Sequence, residues 1–297
     1  MTLLLGMVNP MHAVVISDRR LTVNGKLLDD ESGKMFTLTC LDARVAFAYT
    51  GLAAAREFET RPWLLKTMMD AATHDPHLRP MLDYLRTIAT ATFADLRLPD
   101  KRLSVMCVGY RYDGQINEIM AMVSNYDGFG RSPRSVAASE FALEYSVDGP
   151  SIAAGNVLGA EIAADDLESL QELLRSEQVP ASALVGKGVE AIRSAADRLS
   201  SRGQIGKQCL SVVLPSDASR PASPGYHSEA ASNVMHGLAH VEARGGPQKV
   251  FSIDSPQLET HSDERPIPLA GPQLRPTAPC WCGSREQFRN CHGRSGG

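Results

Sequence analysis

The sequence has no excess of positive charge. Its 297 residues include 30 Lys and Arg against 34 Asp and Glu, which gives a formal net charge of −4. Nucleic-acid-binding proteins rely on cations that displace counterions from phosphates, and this composition supplies no broad cationic surface. We therefore expect no nucleic-acid partner.

Long apolar runs are also missing. The opening segment MTLLLGMVNP has no basic residue ahead of its apolar stretch, and Gly6, Asn9 and Pro10 interrupt it. It is too short for a signal peptide or a membrane span, so we expect a cytoplasmic protein with no membrane partner. The sequence also shows no internal repeat and no coiled-coil heptad.

The apolar content nevertheless suffices for a core of normal domain size. Hydrophobic residues make up 43% of the chain, and its mean hydropathy is −0.16. These values are typical of a globular protein. Three cysteines stand alone in apolar segments, and we predict that they are buried free thiols: Cys40, Cys107 and Cys209.

Strand and helix patterns follow one another without long gaps up to Leu214. Short apolar runs predict strands, and apolar residues at helical spacing predict helices. The predicted order is strands at 2–8, 12–19, 33–39 and 44–50, helices at 52–72 and 78–96, strands at 103–110, 116–124 and within 141–153, helices at 157–174 and 181–199, and a strand at 209–214.

The composition changes after Leu214, where Pro, Ser, Ala and Gly follow in close succession. Such a composition cannot bury a core and is typical of a linker. We therefore predict a domain at 1–214, a partly ordered or disordered linker at 215–275 with one strand at 249–253, and a C-terminal motif at 276–297.

The N-terminal segment offers the groups of a nucleophilic site. It has a hydroxyl at Thr2, a carboxylate at Asp18 and an amine at Lys34, on strands that we expect to be neighbours. Removal of Met1 would leave Thr2 with a free α-amino group, whose reference pKa is about 7.7 to 8.0. Thr2 would then supply both nucleophile and base.

The run VVISDRRLTVNGKLLDDESGKMF, followed by VAFAYTG, resembles the N-terminal half of proteasome β-type subunits. Thr2, Asp18 and Lys34 keep the register of that family's catalytic threonine, acidic residue and lysine. The resemblance implies an N-terminal nucleophile (Ntn) hydrolase of α+β class, folded as a four-layer α/β/β/α sandwich. It also implies cleavage of peptide or other amide bonds without a catalytic cofactor.

Further roles follow from the same resemblance. Lys34 would tune the nucleophile electrostatically, and Asp18 would hold Lys34 charged and oriented. Gly51 would present a backbone N–H to the oxyanion. Arg20 and Thr22 fall on matching positions and would contact substrate, Thr22 by pairing its backbone with an extended peptide.

The resemblance is weaker towards the C-terminal half of the domain. Where the family has a Gly-Ser-Gly segment, this chain has SIAAGNVLGA, which puts Gly155 and Asn156 at the glycine and serine positions. Asn156 is therefore the candidate for that catalytic position. The segment SSRGQIGKQC offers no counterpart to a later aspartate. The alternative to an active hydrolase is a catalytically silent proteasome-like scaffold whose role is binding. Taken by itself, Lys34 could simply be a surface lysine.

The C-terminal segment PCWCGSREQFRNCHG contains four ligand-type residues within a short stretch: Cys280, Cys282, Cys291 and His292. A Cys₃His set can close a tetrahedral Zn²⁺ site, and the metal would supply the folding energy of so small a knot. The segment resembles the SEC-C motif of the SecA preprotein translocase ATPase, although Arg285 stands where glycine is usual. A structural zinc site implies binding, so we expect it to recruit a protein partner.

Two further expectations concern assembly and metal binding. Proteasome-like domains assemble through their helices, so the resemblance implies a homo-oligomer with contacts between residues 52 and 96. His236 and His240 lie four residues apart, but no third ligand is near them, so we interpret them as surface residues. A third hypothesis is an adaptor, chaperone-like or linked to secretion, in which the zinc motif is the functional part.

Overall fold

The structure is a computed structural model. It describes residues 3–23, 26–30, 32–55, 58–126, 136–147, 149–155, 162–176, 178–198, 203–228, 238–243 and 249–253. This part of the chain is mixed α/β, with four helices and several sheets.

Most elements of the described chain are strands, and the helices come in two pairs. In chain order the elements are β1 Leu4–Val8, β2 His12–Asp18, β3 Leu21–Val23, β4 Lys26–Asp29, β5 Met35–Cys40, β6 Ala43–Gly51, β7 Ala54–Ala55, β8 Phe58–Glu59, α1 Thr60–His74, α2 Leu78–Asp95, β9 Leu103–Tyr112, β10 Ile116–Ser124, β11 Ala142–Val147, β12 Ser151–Gly155, α3 Ala164–Arg175, α4 Ala181–Asp197, β13 Cys209–Pro215, β14 Ser223–His227, β15 Leu238–Ala243 and β16 Lys249–Ile253.

Two large sheets contain most of the strands. One has five strands in the order β12-β1-β2-β13-β14, and the other has seven in the order β11-β10-β9-β6-β5-β15-β16. Neighbouring strands are antiparallel except β5 and β15, which run parallel. The strands β3 and β4 form a small hairpin of their own, as do β7 and β8.

The two large sheets pack face to face. Leu4, Val15 and Val212 of the five-stranded sheet share a buried cluster with Met106 and Met122 of the seven-stranded sheet. The sheets approach so closely at Gly6 that a Cβ there would lie 2.5 Å from the Met106 sulfur. Strands such as β5 and β6 are buried on both faces, which explains why their sequences are continuous apolar runs rather than alternating ones.

A helix pair covers the outer face of each sheet. Helices α1 and α2 pack on the seven-stranded sheet, and α3 and α4 pack on the five-stranded sheet. The apolar side chains of α2 recur every three or four residues, as burial of one helix face requires: Leu78, Met81, Leu82, Leu85, Ala89 and Phe93. No helix in the described ranges is both long and apolar enough to cross a membrane.

The bounds of two predicted helices differ from the structure. The pattern predicts a helix from residue 52, but α1 begins at Thr60, after the hairpin of β7 and β8. Thr60 explains this start, because its backbone N–H donates to the Ala53 carbonyl and its hydroxyl donates to the Leu52 carbonyl. The helix predicted from residue 157 begins at Ala164.

Three strands lie beyond Leu214, within the predicted linker. The strand β14 pairs with β13, and β15 pairs with β5. The strand predicted at 249–253 is confirmed as β16, which pairs with β15. Both large sheets are therefore completed by residues from the part of the chain that composition alone assigns to a linker.

Candidate functional site

The Asp18 carboxylate lies at the end of β2 and is completely buried. Three backbone N–H groups donate to it: Leu3 to Oδ1 at 2.6 Å, Arg20 to Oδ2 at 3.1 Å and Gly206 to Oδ2 at 3.0 Å. These donors come from the start of the chain, the turn after β2 and the segment before β13. Asp18 therefore fixes three chain segments relative to one another.

Lys34 lies immediately before β5, which belongs to the other large sheet, so the strands of Asp18 and Lys34 are not neighbours as predicted. The Lys34 side chain is also buried. Its ammonium group donates a hydrogen bond to the Arg20 carbonyl. Burial lowers the pKa of Lys34, while the nearby carboxylates of Asp18, Asp29 and Asp30 oppose this shift. Burial likewise raises the pKa of Asp18, and Lys34 opposes that shift. The structure thus brings the predicted carboxylate and amine together in a site shielded from water.

Thr2 lies outside the described residues, so its predicted role stays a prediction. Its covalent neighbour is placed, however, because the Leu3 N–H that donates to Asp18 belongs to the peptide bond joining residues 2 and 3. The Asp18 N–H donates in turn to the Leu3 carbonyl at 3.2 Å. The beginning of the described chain is therefore hydrogen-bonded directly to Asp18.

Gly51 ends β6, two residues after Tyr49. The Tyr49 N–H donates to the Lys34 carbonyl at 3.2 Å, which brings this part of β6 next to Lys34. The φ angle of Gly51 is 104°, in the left-handed region that favours glycine, and a Cβ there would lie 2.1 Å from the Arg102 carbonyl oxygen. Glycine is therefore required at this position by backbone geometry.

Arg20 connects loops around the site. Its guanidinium donates to both carboxylate oxygens of Asp30, at 2.8 and 3.0 Å, and to the Gly203 carbonyl at 2.7 Å. The Arg20 guanidinium holds the pKa of Asp30 below its ordinary value. Thr22 lies on β3, opposite Leu27 of β4. The substrate contacts predicted for Arg20 and Thr22 stay predictions.

Gly206 is the site residue that sequence reasoning missed. In addition to its hydrogen bond to Asp18, Gly206 packs so tightly that a Cβ would lie 2.8 Å from the Arg20 Cβ and 3.0 Å from Asp30 Oδ1. The resemblance to proteasome subunits draws attention only to the missing aspartate in the segment SSRGQIGKQC. Its two glycines were the available signal, since both Gly203 and Gly206 contact the site through their backbones.

The remaining site predictions have separate outcomes. Asn156 and the zinc ligands Cys280, Cys282, Cys291 and His292 lie outside the described residues. Within the described ranges, no group of His, Cys, Asp and Glu side chains could hold a metal ion.

The predictions for single cysteines and histidines can be compared with the structure. Cys40, Cys107 and Cys209 are buried and free, as predicted. His240 is half-buried, and its Nδ1 lies 2.9 Å from Thr37 Oγ1. Its strand β15 joins the sheet beside β5. His236 lies outside the described residues.

Comparison with known proteins identifies one segment of the chain. The SEC-C motif matches residues 277–294, a range that contains all four predicted zinc ligands. No curated protein matches the chain. The family match therefore covers a C-terminal segment of the chain.

Proposed function

We propose that this protein is an Ntn-type hydrolase that cleaves peptide or other amide bonds, with Thr2 as its nucleophile once Met1 is removed. One observation carries the proposal: the buried carboxylate of Asp18 accepts the Leu3 N–H and lies beside buried Lys34. A buried ion pair is costly, and sites with such perturbed groups are enriched in function. The two facing sheets between helix pairs agree with the four-layer sandwich that the resemblance implies.

The proposed reaction uses two groups of one residue, the α-amino group and the hydroxyl group of Thr2. The neutral α-amine of Thr2 takes the proton of the Thr2 hydroxyl, and the hydroxyl oxygen attacks the carbonyl carbon of the amide. The leaving amine accepts that proton, which leaves an ester on Thr2. Water then attacks the ester and releases the acid, returning the proton to the Thr2 oxygen.

Lys34 supports this reaction by its charge. A nearby ammonium lowers the pKa of the Thr2 amine and stabilises the oxyanion that develops on the attacked carbonyl. Asp18 orients Lys34, and the N–H of Gly51 is the proposed backbone donor to the oxyanion. The segment 203–206 supports Asp18 and Arg20 by backbone groups, in place of the side chains that proteasome subunits use there.

The direct test is covalent labelling by an electrophilic peptide inhibitor of the proteasome type. We expect the purified protein to gain one inhibitor per chain, Thr2→Ala to gain none, and Thr2→Ser to remain reactive because it keeps the hydroxyl. Intact-mass analysis measures all three. Labelling of Thr2→Ala to the wild-type extent would exclude the mechanism.

A second candidate is a non-catalytic binding protein that acts through its C-terminal motif. The match of residues 277–294 to the SEC-C motif favours it, since a Cys₃His donor set fits a closed tetrahedral zinc site that binds rather than catalyses. We propose Cys280, Cys282, Cys291 and His292 as the ligands. Deletion of residues 277–297 would abolish partner binding under this candidate. Under the first, the truncated protein would still react with the electrophile.

A further inference from the structure

A half-buried histidine ends the edge strand of the five-stranded sheet. His227 is the last residue of β14, and its Nε2 atom lies 2.8 Å from the Oγ atom of Ser211, which is 2% exposed. Gly225 leaves the room for this contact, because a Cβ there would lie 2.6 Å from Ser211 Oγ and 3.0 Å from His227 Nε2. The end of β14 is therefore attached to β13 through a titratable side chain.

Arg193 of α4 joins the end of β14 to the segment that supports Asp18. Its Nη2 atom donates to the His227 carbonyl at 3.3 Å, and its Nε atom donates to the Lys207 carbonyl at 3.1 Å. The N–H of the neighbouring Gly206 donates to Asp18 Oδ2 at 3.0 Å. One guanidinium thus contacts both the edge strand and the segment that supports the candidate site.

Asp18, Cys209 and His227 lie in one row across β2, β13 and β14. Cys209 lies opposite Asp18 on one side and opposite His227 on the other. Asp18 and His227 are therefore separated by a single strand, and two strand spacings amount to about 10 Å. A change at the end of β14 thus takes place one strand away from the buried carboxylate.

The surroundings of His227 disfavour its protonated form. Burial lowers the pKa of His227 most, and the positive charge of Arg193 lowers it further. Lys207, which precedes β13, is paired with Asp197 of α4, and its Nζ atom lies 2.6 Å from that carboxylate. The titratable group of β13 opposite His227 is the buried thiol of Cys209. Since the ordinary histidine pKa is about 6.5, His227 is neutral near pH 7 while β14 is attached.

His227 makes the attachment of β14 dependent on pH. A histidine whose pKa falls on folding stabilises the folded form above its ordinary pKa of about 6.5. This stabilisation is lost as the pH falls below that value, because the released strand binds a proton that the attached strand binds poorly. A proton on His227 would also add a second positive charge next to Arg193. Mild acid therefore favours release of the end of β14.

We propose that His227 and Arg193 form an acid-sensitive latch, in which Arg193 is a positioning residue for Asp18. At neutral pH the latch holds the end of β14 and the segment 206–207 in place. In mild acid it opens, and the support of Asp18 weakens. The latch itself is argued from the contacts of the structure, and its effect on catalysis rests on the proposed function.

Hydrogen exchange measured by mass spectrometry tests the latch at about pH 7.5 and about pH 5.5, on either side of the ordinary histidine pKa. Each rate is divided by the intrinsic rate at that pH. We expect the protection of residues 205–211 and 224–228 to fall in acid by about threefold to about tenfold, the upper limit for a group that titrates at about 6.5 only when released. His227→Gln keeps a polar group near Ser211 but cannot gain a proton, so its protection should be equal at the two pH values.

The matched control for this variant is His12→Gln. The pKa of His12 is also lowered, by burial and by Arg220, but His12 lies opposite Pro215 at the other end of β13. Its replacement should leave the pH dependence of both segments unchanged. Equal protection of the wild-type segments at the two pH values, or a wild-type pH dependence in His227→Gln, would overturn the inference.

The rate at which the electrophile labels Thr2 tests the effect on the site. Protonation of the Thr2 amine slows labelling in every variant, so the comparison is between pH profiles. From about pH 7.5 to about pH 5.5 the rate should fall more steeply in the wild type than in His227→Gln, by up to about tenfold. Identical profiles would overturn the positioning role of Arg193. If the exchange results are as expected but the electrophile still labels Thr2→Ala, the latch stands and the proposed function fails.

Discussion

At the scale of single residues, an energetically unfavourable feature of this structure is the burial of two charged side chains, Asp18 and Lys34. Both side chains are removed from water, and burial shifts each pKa towards the neutral form. Three N–H donors and the Arg20 carbonyl compensate part of the desolvation cost. A buried pair of this kind is weak evidence for stability, so we propose that it serves the function of the site.

Replacing the two residues singly and together tests this interpretation. Because either residue alone would be left as an uncompensated buried charge, we expect Asp18→Asn and Lys34→Met each to lower the free energy of unfolding by about 3–5 kcal/mol. The double variant should lose clearly less than the sum of the two. Urea unfolding of the four proteins measures this, and additive losses would show that the two charges do not interact.

Gly206 offers a second test at this scale. A methyl group there would lie 2.8 Å from the Arg20 Cβ, so Gly206→Ala must displace the backbone that donates to Asp18. We expect Gly206→Ala to slow labelling by the electrophile about tenfold or more, as for misplacement of a site group.

The matched control for this substitution is Gly186→Ala. Gly186 lies in α4 with nothing within 4 Å of a Cβ position, so alanine should stabilise the helix slightly and leave labelling unchanged. If Gly206→Ala labels at the wild-type rate, the segment 203–206 does not support the site.

At the scale of elements, the strands and helices that the sequence predicts well are those with long apolar stretches. The strands β9 and β10 and the helices α2 and α4 lie within two residues of their predicted bounds. The short hairpins were not predicted, because strands of two to four residues bury too little to leave a pattern. Helix α1 was predicted too early, because the apolar residues ahead of it belong to β7 and β8.

Strands β14 and β15, which follow Leu214, were missed for a different reason. Strand β14 contains Pro224 and Gly225, which disfavour a central strand but are tolerated at a sheet edge. Strand β15 is stabilised by its partner β5, about two hundred residues earlier in the chain. Composition reports local preference only, so pairing over such a distance is not visible in it.

Leu238 tests whether β15 belongs to the core. It is 1% exposed and packs in the cluster between the two sheets. We expect Leu238→Ala to lower the free energy of unfolding by about 2–5 kcal/mol, as for other buried leucines. Leu41→Ala, at a 55% exposed leucine, should change it by less than about 0.5 kcal/mol. Equal, small effects would place β15 outside the folded domain.

The candidate site also combines residues that the local sequence predicts with residues that only the packing of distant segments brings together. Asp18 and Lys34 could be predicted, because their spacing carries a known register, although β2 and β5 belong to different sheets. Gly206 lies 188 residues from Asp18 in the sequence. Which loops meet at the end of a sandwich depends on how the whole chain packs, and no local spacing records it.

At the scale of the whole molecule, the described chain ends near the candidate site. Strand β16 is antiparallel to β15, and β15 is parallel to β5, so β16 finishes at the end of the sheet where β5 begins, with β15 between them. In the sequence, residues 254–276 separate β16 from the matched C-terminal motif.

Metal removal tests the independence of the two parts. We expect one Zn²⁺ per chain, none in Cys282→Ser, and release of the ion by a chelator. Because the described residues hold no metal-binding group, the melting temperature of the main transition should stay the same after release. Metal analysis and calorimetry measure both. Zinc retained by Cys282→Ser would show that the ligand assignment is wrong.

The central claim is that residue 2 is the reacting residue, with its amine free. Tandem mass spectrometry of the electrophile-treated protein purified from its own cells tests this most directly, because one spectrum gives both the N-terminus and the modified residue. We expect a chain that begins at Thr2 and carries the adduct on that threonine. An adduct on another residue, or one formed while Met1 is still attached, would contradict the account.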